Sequence, residues 1–110
     1  MKYKPLHDGW PVPVLGLGTG YLGSDPSQAD IELRAIQEAL EMGYTHIDTA
    51  EIYGGGDSET LIGLAIRGRD RAKLFLTSKV SQAHLGRQEV FEAIEGSLRR
   101  LQTDYLDLYL

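Results

Sequence analysis

The stretch "HIDTAEIYGGGDSE", residues 46–59, sets an acid, Asp48, at the end of a short apolar run, with Tyr53 five residues later and three glycines behind it. A carboxylate at the end of a buried strand is costly unless a cation compensates it. The next apolar run, "LFLTSKV", ends near such a cation in Lys79. An ammonium beside a phenol favours the phenolate, and a phenol tuned in this way is a better general acid near neutral pH. Asp48 would hold Lys79 in place and keep it from being an isolated buried cation. Aspartate, tyrosine and lysine together suit delivery of a proton to a carbonyl oxygen as hydride reaches its carbon. Taken singly the signals are blander: Asp48 and Lys79 read as a structural ion pair, and Tyr53 as a packing or loop residue.

Such a trio needs strands that end at one level. Asp8-Gly9 tolerates the positive φ of a tight hairpin turn, and Pro11 and Pro13 confine any strand there to an edge. A buried strand is expected over Val14 to Thr19. A helix follows, with Asp25 as its cap, Pro26 at the first position and Gln28 completing a capping box. Its stripe is Ala29, Leu33, Ile36 and Leu40, and Gly43 ends it. "THIDTA" is the second strand. Asp57 or Ser58 caps the next helix, with Leu61, Leu64 and Ala65 inward and a stop near Gly68. "KLFLTSKV" is the third strand. A third helix spans about Arg87 to Leu101 on the stripe Val90, Ile94, Leu98 and Leu101, before a fourth strand in "DYLDLYL".

Strands alternating with helices imply a parallel sheet with right-handed crossovers. Four strands and three helices after an N-terminal hairpin fit either a small open α/β sheet or the first half of a parallel (β/α) barrel of roughly 250 residues. In a barrel, chemistry sits at the carboxyl ends of the strands, which is where Asp48, Tyr53 and Lys79 fall. Strand parity puts Lys79 on the face of Phe75 and Thr77, and Asp48 on that of His46. If those faces line the interior, Asp48 and Lys79 can pair.

Composition narrows the function class. The 110 residues allow one modest core, and the net charge is −5 with scattered basic residues. The most basic run, "IRGRDRAKLF", is interrupted by Asp70 and reads as a solvated turn, so nucleic acid is not an expected partner. Without cysteine there is no disulfide, thiol catalysis or cysteine metal site, and no metal is expected. The N-terminus lacks an apolar signal and no segment has the length of a bilayer span, so a soluble, cytoplasmic protein with no membrane partner is expected. His46 reads as a satisfied interior histidine and His84 as a loop residue. The glycines 54–56 read as loop flexibility, and Asp107 and Tyr109 as inward-facing structural residues.

"GTGYLG", residues 18–23, matches the dinucleotide fingerprint G-x-G-x-x-G. In that motif the glycines open the helix that holds the pyrophosphate; here Asp25-Pro26 starts the helix after the last glycine. Asp48 also lies 30 residues past Gly18, beyond the usual separation of about 20. These glycines read better as a tight strand-end turn.

In this order and spacing, "VLGLGTG", "HIDTAEIYG", "TSKV" and "DYLDLYL" resemble successive signatures of the aldo-keto reductase family, over essentially the whole chain. The resemblance implies a (β/α)-barrel that binds NADPH, less often NADH, and reduces aldehydes or ketones, the small-molecule carbonyl being its partner. It gives Tyr53 as proton donor, Lys79 as the group that tunes it, and Asp48 as the orienting acid. Gly18, Thr19, Gly20 and Asp48 would border the cofactor, and Tyr21 and Tyr53 the substrate. Many relatives carry tryptophan where Gly20 stands, with Tyr21 one position later able to replace it. The family's catalytic histidine follows the fourth strand, where this sequence stops. Residues 1–110 are therefore expected to be the N-terminal portion of one barrel domain, from a monomeric parent, lacking the parts needed for full activity by themselves, with strand edges through which an isolated piece can self-associate. Two other readings remain: a non-catalytic regulatory relative that binds cofactor, and a small Rossmann-type domain.

Overall fold

Asp8 and Gly9 turn the chain back on itself before the main sheet begins. In the computed structural model, which describes residues 1–110, β1 (Tyr3–Pro5) and β2 (Pro11–Pro13) form an antiparallel hairpin with Gly9 at φ +86°. The four-stranded sheet that follows contains β3 (Gly16–Gly18), β4 (His46–Asp48), β5 (Phe75–Ser78) and β6 (Leu108–Tyr109), all parallel and in sequential order. Helices α1 (Ala29–Glu41), α2 (Asp57–Ala65) and α3 (Arg87–Leu101) make the three crossovers. Strands laid down strictly in order have no switch point, the reversal at which doubly wound dinucleotide-binding sheets hold their ligand. The Rossmann-type reading is thereby overturned, and the architecture is half of a parallel (β/α) barrel.

Leu17, Ile47 and Leu76 lie level in the three strands and face the helices. Ile47 and Leu76 join Ile36 and Leu40 of α1, Leu61, Ile62 and Ala65 of α2, and Leu101 of α3 in one core cluster, against which Leu17 packs. Each such leucine or isoleucine contributes roughly 1.5–3 kcal/mol on full burial. The opposite face carries Gly16, Gly18, His46, Asp48, Phe75 and Thr77.

The structure corrects several local expectations. β3 begins at Gly16, with Val14 and Leu15 exposed, because the Val14 amide instead donates to Lys2 and prolongs the hairpin. Asp25 does cap the turn before α1, accepting from the Ser27 amide, but residues 26–28 form a 3₁₀ turn and the Gln28 side-chain amide donates to the Ser27 hydroxyl rather than accepting from the Asp25 amide, so no capping box closes. Neither Asp57 nor Ser58 caps α2; Gly56 does, at φ +103°, and Ser58 is buried while Leu64 is exposed.

On α3 the buried face is Ala93, Gly96, Ser97 and Leu101, with Val90, Ile94 and Leu98 only half-buried. The cause is close approach: a Cβ on Gly63 of α2 would overlap the carbonyl oxygen of Arg100, so the small residues of α3 meet α2. The turn expected to be solvated contains Arg71, which is mostly buried. It pairs with Asp107 at 2.8 Å, donates to Thr103 and to the Leu74 and Tyr105 carbonyls, and stacks on the Tyr105 ring. Tyr109 lies level with Ser78 and so faces the helices rather than the interior. Its hydroxyl is buried without a hydrogen-bond partner. Burial, and then the carboxylates of Glu51 and Glu59, push its pKa above the ordinary 10.0.

Two outcomes follow. Gly63→Ala is expected to destabilise the chain by about 1–3 kcal/mol through overpacking, read as a lower denaturant midpoint at unchanged slope. The raised Tyr109 pKa means that above pH 10 the unfolded chain releases a proton the folded chain retains, so stability falls as pH rises through that value. Tyr109→Phe is expected to flatten that part of the stability profile between pH 9 and 11, as measured by denaturant unfolding.

Candidate active site

The β4–β5 register sets Asp48 beside Thr77, two residues before Lys79 and on the same face. The Lys79 ammonium therefore reaches back to donate to Asp48 Oδ1 at 2.7 Å and to the Thr49 carbonyl at 2.8 Å. The Lys79 side chain is 29% exposed and that of Asp48 41%, so the pair is open to solvent rather than sealed into the core. The second carboxylate oxygen of Asp48 has no partner in the chain.

Tyr53 enters a 3₁₀ turn, Tyr53–Gly56, whose three glycines take φ of +59°, +66° and +103°. Glycine populates such angles without steric cost, so this run is a defined left-handed turn and not merely loose chain. A side chain at Gly54 would also strike the Gly23 carbonyl, 2.6 Å from a Cβ there. The turn presents the Tyr53 ring face to Lys79, whose Nζ lies 5.1 Å from the ring centroid, within cation–π range. The Tyr53 hydroxyl makes no hydrogen bond within the chain.

The four residues of the β3 end fall into different places. Gly18 stands level with Asp48 with no atom within 4 Å of where its Cβ would be, and a Cβ on Gly20 would touch only Tyr53 Cζ, at 3.8 Å. Bare backbone thus lies beneath the hydroxyl end of the phenol. Thr19 is buried, and its hydroxyl and amide both donate to the Asp48 carbonyl, at 3.0 and 3.1 Å. Tyr21 is 92% exposed and stands apart from the cluster. Asp48, Tyr53, Lys79 and Gly20 are brought together; Tyr21 is not among them.

Below Asp48 on the same face, His46 Nε2 meets Thr77 Oγ1 at 3.3 Å and the ring packs edge-on against Phe75, with centroids 4.9 Å apart. Its Nδ1 is buried without a partner, so only half of the satisfied-histidine reading holds. His84 does lie in the loop beyond β5, where it bonds Glu51 at 2.6 Å; Glu51 also accepts from the Ser81 amide at 2.7 Å. That link ties the loop after Lys79 to the one leading into Tyr53.

Glu59 escaped the sequence reading. It is fully buried, accepts from Arg100 Nε and Nη2 at 3.0 and 2.8 Å, and accepts from Ser78 Oγ at 2.9 Å. The signal was available: Glu59 falls on the helical stripe of Ile62 and Ile66, where a charge must find partners inside. Three or more His, Cys, Asp or Glu side chains nowhere gather as a metal site, and no helix is long and apolar enough to cross a membrane.

Residues 14–110 match the model of the Aldo/keto reductase family. Methylglyoxal reductase YeaE of Escherichia coli (strain K12) is 50% identical over 99 residues, which is 90% of this chain and 34% of that protein. The structure of the thermostable aldo-keto reductase Tm1743, solved with the inhibitor epalrestat, superposes with a TM-score of 0.95 at 47% identity, over 99% of this chain and 42% of that one. An aldo-keto reductase from Klebsiella pneumoniae, solved with NADPH, gives a TM-score of 0.85 at 44% identity, over 99% and 39%. The chain spans about a third of the length of the curated relatives it matches.

Because the Asp48–Lys79 pair is solvent-exposed, it should add little to stability. Asp48→Asn is expected to cost no more than about 1 kcal/mol in denaturant unfolding. A loss of about 3 kcal/mol or more, the size seen on breaking a buried pair, would make the pair a structural staple instead.

Proposed function

The chain belongs to the aldo/keto reductase family, and on that premise we propose that it carries the reactive strand ends of an enzyme reducing aldehyde and ketone carbonyls to alcohols with NADPH, NADH being the alternative. The observation that carries the reading is the placement of Lys79 Nζ, 2.7 Å from Asp48 and 5.1 Å from the Tyr53 ring centroid. A purely structural ion pair has no need of a phenol with a free hydroxyl beside it.

The residues present fit a nicotinamide dinucleotide. The backbone at Gly18 and Gly20 is bare, which lets a flat ring approach, and Asp48 keeps one carboxylate oxygen free to accept from an amide or hydroxyl. Gly18, Gly20 and Asp48 would hold that end of the group, with Thr19 contributing by fixing the Asp48 carbonyl. When bound, such a group supplies hydride. Tyr53 gives the proton: its O–H bond breaks as the carbonyl oxygen takes the hydrogen, and the substrate leaves as the alcohol. Lys79 stabilises the phenolate left behind, and Asp48 keeps the ammonium turned toward the ring. Tyr21, far out in solvent, would form the rim of the substrate pocket. Small dicarbonyls are reasonable candidates, since the relative YeaE is named for reduction of methylglyoxal.

Tyr53→Phe is expected to lower turnover of methylglyoxal with NADPH by at least about 100-fold, the lower range for loss of a general acid, while NADPH binding measured by fluorescence stays within twofold. Unchanged turnover would remove Tyr53 from the mechanism. Unchanged turnover together with retained binding in Lys79→Met would sink the whole assignment.

A further inference from the structure

Helix α2 begins with two buried polar residues, Ser58 and Glu59, that no packing requirement explains. Each reaches a different strand end. Ser58 Oγ donates to the Thr19 carbonyl at 3.1 Å and lies 3.3 Å from Thr49 Oγ1. Its one proton is used on Thr19, so Thr49 donates to it. Glu59 accepts from Ser78, the residue before Lys79, and its charge is balanced by Arg100 of α3. Arg100 arrives along a path cleared of side chains: its Cδ and Nε lie 3.0 Å from a Cβ on Gly56, and its Nη1 3.2 Å from one on Gly96.

These contacts converge on the two charged residues of the site. Thr49 follows Asp48 and supplies the carbonyl that Lys79 Nζ also bonds; Thr19 donates to the Asp48 carbonyl; Ser78 precedes Lys79. We infer that Ser58 and Glu59 are positioning residues, through which the first turn of α2 fixes the separation and orientation of Asp48 and Lys79. A wholly hydrophobic first turn would pack the helix against the sheet but leave the strand ends free to slide relative to one another. Hydrogen bonds are directional, and three of them, to the ends of β3, β4 and β5, define a geometry that apolar contact does not. The inference rests on the reductase reading only for its catalytic consequence.

The test uses Ser78→Ala in the full chain, which removes the Glu59–Ser78 bond and keeps the Glu59–Arg100 pair. Ser58→Ala is the second variant, acting on the Thr19 and Thr49 side. Thr60→Ala is the control: the Thr60 side chain bonds only the Gly56 carbonyl of the same turn, at 3.2 Å, and makes no hydrogen bond to a strand. The first readout is the NMR signal of the Lys79 side chain, which needs no turnover. It is expected to move in Ser78→Ala and Ser58→Ala and to stay in place in Thr60→Ala. The second is reduction of methylglyoxal by NADPH, with kcat expected to fall on the order of tenfold to a hundredfold, as for a small misplacement of reacting groups, and KM to stay within twofold. A Lys79 signal unmoved in both variants, or moved equally in the control, overturns the inference. So does an unchanged kcat in variants of a protein that turns over. If the unmodified protein reduces nothing while the Lys79 signal responds as expected, the positioning role stands, and only the expectation that this segment turns over by itself falls.

Discussion

The carboxylate of Glu59 has no access to water, so its charge and both oxygens must be satisfied inside the protein. One oxygen takes both hydrogen bonds from Arg100 and the other takes the Ser78 hydroxyl. Because Arg100 is on α3 and Ser78 on β5, a single buried group locks two helices and a strand at fixed separation. The small residues fall into place around it. Gly63 permits the backbones of α2 and α3 to touch, and Gly56 and Gly96 leave room for the guanidinium to reach its partner. The unusual burial of Ala93, Gly96 and Ser97 on α3, in place of its larger apolar residues, is a consequence of that approach.

Parallel strands in sequential order then do the rest. The register fixes Asp48 beside Thr77, so a lysine two residues further along β5 can reach the carboxylate. Two of the chain's ion pairs, Glu59–Arg100 and Asp48–Lys79, differ in a way that follows from their surroundings. Glu59–Arg100 is sealed on the acid side, and removing one partner would leave an uncompensated buried charge. Asp48–Lys79 is open to solvent, where a pair contributes little to folding. The proposed chemistry accounts for a solvent-accessible charged pair set beside a phenol with a free hydroxyl.

Much of this was legible in the sequence because it depends on period and spacing. Strand alternation put Asp48 and Lys79 on one face, the third helix has the bounds its pattern suggests, and Gly43 ends α1 in a left-handed conformation. What was not legible depends on close approach between elements distant in sequence. The buried face of α3 follows small residues, and a search for large apolar ones finds the neighbouring stripe instead. Arg71 looked solvated because its partners, Thr103, Tyr105 and Asp107, lie more than thirty residues away. Val14 looked like strand because nothing local shows that its amide is taken by Lys2.

The glycine run after Tyr53 joins both kinds of information. In sequence, three consecutive glycines suggest loose chain, and the entropy they lose on folding is an argument against placing them beside a reactive group. In the structure all three are left-handed, and Gly54 packs on the Gly23 carbonyl with no room for a Cβ. The turn is therefore held from outside, by the loop after β3. Its last glycine both caps α2 and clears the path for Arg100. The turn that aims Tyr53 at Lys79 is thus continuous with the helix turn that anchors the strand ends, so the phenol and the ion pair are referred to one rigid element. That continuity explains how a residue in a glycine-rich loop can be placed as closely as residues on strands.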